Sequence, residues 1–291
     1  MTDRPTRRAP AGGRSARVAP DVRAVAPVSG AVGATATSER PGDEERLFCR
    51  IALKYELLTQ AQIKSAMRLR RRDGSRRPLF AYLQQAGYLT DEAVDRILRI
   101  QEKNLKAFLE KGSRYRSRRD YAKAIAAYTH AIRLDPGNAE AYHQRALALG
   151  LAKRPEDALA DLERALTLDP RHARAHDARG VLRHDQGDLD LALADFDRAI
   201  ALDPSLAKAY LDRGAVHHAR RRLDDALVDY DRAIALDPTL ASAFNNRGAA
   251  RLVLGRTREA IADWERALAL DPGLTSVRMN LALVRRKLVV R

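Results

Sequence analysis

Three observations predict an all-α fold for this 291-residue chain. Hydrophobic residues make up 45% of it and aromatic residues only 5%, so its core must be built mostly from Ala and Leu. Those two residues head the helix scale, whereas strands favour β-branched and aromatic side chains. The tripeptide Leu-Asp-Pro recurs at 134–136, 168–170, 202–204, 236–238 and 270–272, always 34 residues apart. Between the recurrences, columns of small and large apolar residues repeat in the same register, the mark of stacked helical units that cannot bury their apolar faces alone.

In chain order, residues 1–42 are rich in Ala, Arg, Pro and Gly with almost no large apolar side chain, which predicts disorder. Residues 43–104 are expected to form a small helical domain containing a duplication. Leu58-Thr59 corresponds to Leu89-Thr90 at an offset of 31, and Ala52 with Leu83, Ile63 with Val94 and Met67 with Leu98 keep that register. Two helix-turn-helix halves joined by 71–77 follow.

Five repeats then span 105–138, 139–172, 173–206, 207–240 and 241–274. Alanine fills Ala124, Ala158, Ala192, Ala226 and Ala260, and again Ala131, Ala165, Ala199, Ala233 and Ala267, where two helices approach closely. Tyr128, Leu162, Phe196, Tyr230 and Trp264 form one column of knobs, and Phe108, Tyr142, Tyr210 and Phe244 a second, with His176 as its exception. Each proline stops a helix and pushes the preceding Asp out of the α region. Residues 275–291 read as a terminal capping helix: Val277, Leu281, Val284 and Leu288 recur at helical spacing, with Arg278, Arg285 and Arg286 elsewhere on the surface.

This pattern of aromatic, small, alanine, aromatic and proline positions resembles the tetratricopeptide-repeat (TPR) family over all five units. The resemblance implies antiparallel helix pairs in a right-handed superhelix, preceded here by the small helical domain, with the first helix of each pair lining a concave wall. The second half of the upstream domain, 78–101, resembles one motif of the N-terminal helical domain of type II secretion ATPases, some of which bind cyclic di-GMP. Leu79, Leu83, Gly87, Leu89, Val94, Leu98 and Gln101 match it, but Pro78 and Phe80 stand where the motif has arginine and glycine. In the first half Leu47, Cys49 and Arg70 replace its arginine, glycine and glutamine. The resemblance therefore carries a fold but not an expectation of dinucleotide binding.

Arg145, Arg179, Arg213 and Arg247 occupy a column where the TPR pattern has leucine, and Asp161, Asp195, Asp229 and Asp263 form another. The first repeat lacks both, having Lys111 and Ala127. Pairing within a repeat leaves no member orphaned, whereas pairing between repeats strands Arg145 and Asp263. The other reading is two solvated helix faces.

Catalytic signatures are absent: no phosphate-binding loop, no His-Glu-x-x-His and no nucleophile elbow. His172 and His176 have the spacing of helical ligands but follow a turn and lack a nearby cysteine, so no metal centre and no cofactor are expected. The single Cys49 forms no internal disulfide, which suits a reducing compartment, and no apolar run reaches membrane-spanning length or makes a secretory signal. A cytoplasmic location is the expectation. The formal net charge of +15 comes from both ends, while 139–274 is slightly acidic.

Two functions follow. In the first the chain is a non-enzymatic interaction scaffold, with a protein or peptide segment held by the wall that the resemblance implies. Its candidate residues are Lys106, Glu140, Arg174 and Lys208 along a charged edge, Leu147, Val181, Ala215 and Ala249 as an apolar floor, His143, Asp177 and Asn245 between them, and His184 and His218 one repeat apart. Asn246 lacks the lysine and asparagine companions with which chaperone-binding relatives clamp a C-terminal carboxylate, so an internal segment is expected. In the second the chain is a nucleic-acid or ligand-responsive regulator using Arg68, Arg70, Arg71, Arg72, Arg76 and Arg77, or Arg114, Arg116, Arg118 and Arg119.

Overall fold

Threonine opens both halves of the N-terminal region. Thr59 accepts from the Gln62 backbone N–H and is answered by the Gln62 side chain, a capping box that starts one helix, and Thr90 accepts from the Ala93 N–H to start another. The resulting order is α1 (Asp43–Lys54), α2 (Gln60–Asp73), α3 (Leu79–Gln85) and α4 (Asp91–Ser117), the two helix-turn-helix halves expected from the offset of 31. A computed structural model describes residues 43–74 and 77–289. The disorder expected of 1–42, Arg76 of the basic cluster and the side chain of Leu288 lie outside the described residues.

Ala52 and Leu83 are fully buried and Leu58 and Leu89 nearly so, in one core with Phe48, Ile51, Ile63, Leu79, Tyr82 and Ile97. The correspondence breaks at its last member, because Met67 packs on this core whereas Leu98 is half exposed. Pro78 offers no side-chain cap to α3. Glu45 of α1 supplies one by accepting the Leu79 N–H at 2.9 Å while both its oxygens receive Arg70 at 2.7 Å. Cys49 lies partly buried against the same core, and desolvation pushes its thiol up to about 11, which suppresses thiolate chemistry.

The sequence register puts a boundary at 104/105, but α4 runs through it without a break. It closes the N-terminal core with Ile97 and then serves as the first helix of the first repeat, facing α5 (Tyr121–Leu134). Four more pairs follow: α6 (Ala139–Leu151) with α7 (Pro155–Leu168), α8 (Ala173–Gln186) with α9 (Leu189–Leu202), α10 (Ala207–Ala219) with α11 (Leu223–Leu236), and α12 (Ala241–Val253) with α13 (Thr257–Leu270). Finally α14 (Thr275–Val289) covers Phe244, Trp264 and Ala267 with Val277, Leu281 and Val284. All secondary structure among the described residues is helical, arranged as a superhelix of helix pairs.

The recurrent Asp-Pro now has a geometry. At Asp135, Asp169, Asp203, Asp237 and Asp271 the backbone turns extended, with φ between −133° and −142°, as a residue before proline requires. Each Asp then accepts the N–H two residues on, at 2.8 to 3.0 Å, closing an Asx turn. The alanine columns are fully buried, and so are the aromatic knobs Tyr128, Phe196, Tyr230 and Trp264.

Glycine explains how such large rings fit. A Cβ on Gly112, Gly180, Gly214 or Gly248 would lie 2.5 to 2.9 Å from the ring of Tyr128, Phe196, Tyr230 or Trp264 respectively. In the second repeat the knob is Leu162 and the facing residue is Ala146. Ring and glycine, or leucine and alanine, thus come as matched pairs 16 residues apart.

Candidate partner-binding wall

Successive first helices touch one another, α4 with α6, α6 with α8, α8 with α10 and α10 with α12, which puts them on the inner side of the stack. What fixes that wall is a ladder of ion pairs behind it. Arg145 grips Asp161 at 2.7 and 2.7 Å, Arg179 grips Asp195 at 2.9 and 2.7 Å, Arg213 grips Asp229 at 2.9 and 2.6 Å, and Arg247 grips Asp263 at 3.0 and 2.6 Å. Every pair is bidentate and within one repeat, and the aspartates are buried. The solvated-face reading is therefore excluded.

The arginines also stack on the second aromatic column, Arg145 over Tyr142, Arg213 over Tyr210 and Arg247 over Phe244 at 5.4 to 5.6 Å from the ring centres. In the third repeat His176 stands in that column and bonds Asp195 through Nδ1 at 3.3 Å instead of stacking. Burial pushes the Asp195 carboxyl up, but His176, Arg179 and Arg183 outweigh it and hold the group below the ordinary carboxylate range. The pairs also reach backwards: Arg213 bonds Asp197 and Arg247 bonds Asp231, both at 2.6 Å, and Arg145 bonds the Thr129 hydroxyl at 3.1 Å. Each of these three arginines ties its own helix pair to the pair before it.

On the wall, Lys106, Arg174 and Lys208 are exposed and Glu140 is half-buried. Leu147, Val181, Ala215 and Ala249 are each partly buried. Leu147, Val181 and Ala249 lean against the cores of repeats two, three and five. His184, His218 and Asn245 are partly buried, with His218 held below the usual imidazole range by burial and by Arg221. Asn245 lends its backbone carbonyl to the Trp264 indole at 3.2 Å.

His143 and Asp177, expected between the charged edge and the apolar floor, are only 3% and 6% exposed. Desolvation raises the Asp177 carboxyl to about 6 despite Lys208 at 3.3 Å, and its Oδ1 has no hydrogen-bond partner. The structure also brings to the wall residues that the sequence reading did not place there. Asp212 binds Lys208 at 2.5 Å, Gln144 donates to Glu140 at 2.6 Å, and His172 meets Glu140 at 2.9 Å. The Glu140–His172 and Asp177–Lys208 contacts span 32 and 31 residues, so each joins a first helix to the start of the next first helix, a spacing the repeat length itself makes searchable.

The basic clusters are less available than their count suggests, since Arg70 is committed to Glu45. Between α1, α3, α4 and α5 lies a cleft of about 510 Å³ whose lining includes Phe48, Pro78, Phe80, Leu98, Leu105, Glu102 and Asp135. Pro78 and Phe80, standing where the dinucleotide-binding motif has arginine and glycine, are on its wall. A phosphodiester there would meet the carboxylates of Glu102 and Asp135.

Taken together, the fold and the wall define an α-solenoid of helix pairs with an inner surface made from one helix per pair. Tetratricopeptide-repeat family models match residues 112–151, 139–172, 180–220, 207–240 and 241–274, together more than half of the sequence. The chain belongs to the tetratricopeptide-repeat family. Among solved structures, a thermophilic TPR protein of Thermus thermophilus is 21% identical, with 62% of this chain and 98% of that one covered and a TM-score of 0.54. PilW, a widely conserved type IV pilus biogenesis factor, is 22% identical over 58% of this chain and 79% of its own, also with a TM-score of 0.54. MamA is 27% identical over 57% and 96%, with a TM-score of 0.47. The first two share the fold. No curated protein matches the sequence. Among the described residues no helix is long and apolar enough to cross a membrane.

Proposed function

We propose that the chain is a non-enzymatic scaffold that holds an internal segment of a partner protein along the first-helix wall. The observation that carries this reading is the strip Leu147, Val181, Ala215 and Ala249. These side chains are only partly covered by their own repeats and are accompanied by Lys106, Glu140, Arg174 and Lys208. An apolar floor with charges of both signs beside it fits an amphipathic segment, the floor supplying affinity and the charges its orientation. Asn246 hydrogen-bonds only its neighbour Asn245 among the bonds described, in keeping with a wall that does not clamp a free C-terminus.

The experiment compares full-length bait with a Val181→Glu/Ala215→Glu bait in lysate, with and without nuclease. Truncation at residue 105 is avoided because it would cut α4 in two. With helical content and melting retained, the variant is expected to lose its partner at least tenfold, by burying two carboxylates at the contact. Recovery of the same partner at the same yield refutes the wall assignment. Loss of recovery on nuclease treatment alone points instead to nucleic acid.

A further inference from the structure

We propose that Glu140, His143 and His172 form a binding site for a divalent transition-metal ion of the zinc class. It sits at the joint between the second and third repeats, with one coordination position left open. Glu140 and His143 lie on α6, three residues apart on one face, and His172 is the N-cap of α8. Glu140 Oε2 stands 2.9 Å from His172 Nε2 and 3.4 Å from His143 Nδ1, and all three donor atoms lie within 4.8 Å of one another. Around a tetrahedral zinc with bonds of roughly 2.0 to 2.1 Å, neighbouring donors sit about 3.3 Å apart. Two of the three edges are already near that length, and rotation of the His172 ring, whose centre is 4.8 Å from that of His143, brings in the third.

Two further features point to a ligand. His143 is 3% exposed, yet its Nδ1 makes no well-aligned hydrogen bond, with Glu140 Oε2 standing 3.4 Å away, an uncommon state for a buried imidazole. Gln144 holds Glu140 Oε1 at 2.6 Å and so leaves Oε2 facing the histidines, the orienting contact that metal-bound carboxylates receive.

The donor set of two imidazole nitrogens and one carboxylate suits zinc, cobalt, nickel or copper rather than magnesium or calcium. It belongs to this joint and not to the repeat as such, since the equivalent positions of the next repeat are Arg174, Asp177 and Leu206.

One contact opposes binding. His172 Nδ1 accepts the Ala175 N–H at 3.3 Å, which places the ring proton on Nε2, where it is donated to Glu140. A metal replaces that proton, which moves to Nδ1, and the long capping bond is given up. Loss of one cap lowers affinity by about tenfold, which a site with three protein ligands withstands.

The test uses tag-free full-length protein stripped with chelator, titrated with zinc by calorimetry and with cobalt(II) by visible absorption. The expected result is one ion per chain with low-micromolar affinity, a tetrahedral cobalt spectrum and a raised melting temperature. His172→Asn installs the side chain with which Asn138 caps α6 at the equivalent place, so it keeps the helix start while removing a ligand. That variant and Glu140→Gln are expected to weaken binding at least tenfold, with unchanged melting in chelator, whereas His184→Asn leaves binding intact. Absence of binding at millimolar zinc, or equal affinity in His172→Asn and the parent, overturns the proposal.

Discussion

Replacing Gly180 by alanine isolates the packing rule that sets the distance between the two helices of a repeat. The new Cβ would meet Phe196 Cε1, Cδ1 and Cζ at 2.7, 2.9 and 3.0 Å, well inside the roughly 3.5 Å of ordinary carbon contact. The ring cannot swing away. It is 1% exposed, with fully buried Val216 and Ala192 in the same core. Overpacking of this kind costs about 1–3 kcal/mol, while alanine in a helix interior returns about 1 kcal/mol of propensity. The single substitution is therefore a poor readout, and a double-mutant cycle with Phe196→Leu is a good one, because the propensity gain appears on both sides and cancels. The chain carrying both Gly180→Ala and Phe196→Leu reproduces the Ala146–Leu162 pair of the second repeat, and an interaction free energy of about 1–2 kcal/mol in favour of the double mutant is expected. Urea denaturation followed by circular dichroism, with hydrogen exchange to localise the effect to α8 and α9, provides the measurement. Additive single changes would show that ring and glycine are not coupled and that the pairing along the chain is accidental.

A second cycle, on Arg145→Ala and Asp161→Ala, is expected to give a coupling of about 1–2 kcal/mol. That is above an exposed pair and below a fully buried one, since Arg145 retains 21% side-chain exposure. Asp195 is a poorer choice because Arg183 and His176 also hold it, so deleting Arg179 leaves partners in place. Asp177→Asn should stabilise the fold near neutral pH. The folded carboxyl titrates at about 6 against roughly 4 unfolded, so the unfolded chain loses its proton first and stability falls between about pH 4 and pH 6. The substitution is expected to add about 1–2 kcal/mol at pH 7 and little at pH 4. Parallel stability profiles for variant and parent between these pH values would contradict the burial argument.

The repeat length and the ladder were legible because each rests on a column, and a column is a spacing. Arg and Asp are both missing from the first repeat, and that shared absence was enough to pair them within a repeat. It was silent about Asp197 and Asp231, which are exposed, share their column with Thr129, Glu163 and Glu265 and are recruited only when helices of adjacent pairs are stacked. The continuity of α4 was hidden because repeat phasing marks a boundary where no cap or breaker interrupts Ile97, Ile100, Leu105 and Phe108. Burial of His143 and Asp177 was also unreadable, since Leu211 and Asn245 share their column and the polar members look solvated until the following repeat closes over them. The cluster around Glu140 joins two helices whose relative placement is set by α7 between them, so no local window contains it.

The 27 residues of α4 make a rod of about 40 Å, anchored at one end in the core of Phe48, Leu79 and Leu83 and at the other against Tyr128 through Gly112. Two modules joined by a linker sample many mutual orientations. Two modules built on one continuous helix share a single axis, and a twist applied to either is felt by both. The N-terminal helices are thus splinted to the solenoid. Beyond the first rung, Arg145 straps the second pair to the first, and Arg213 and Arg247 strap the third, fourth and fifth together. With one helix running through both, no loop lies between the N-terminal core and the first repeat at which the two could swing.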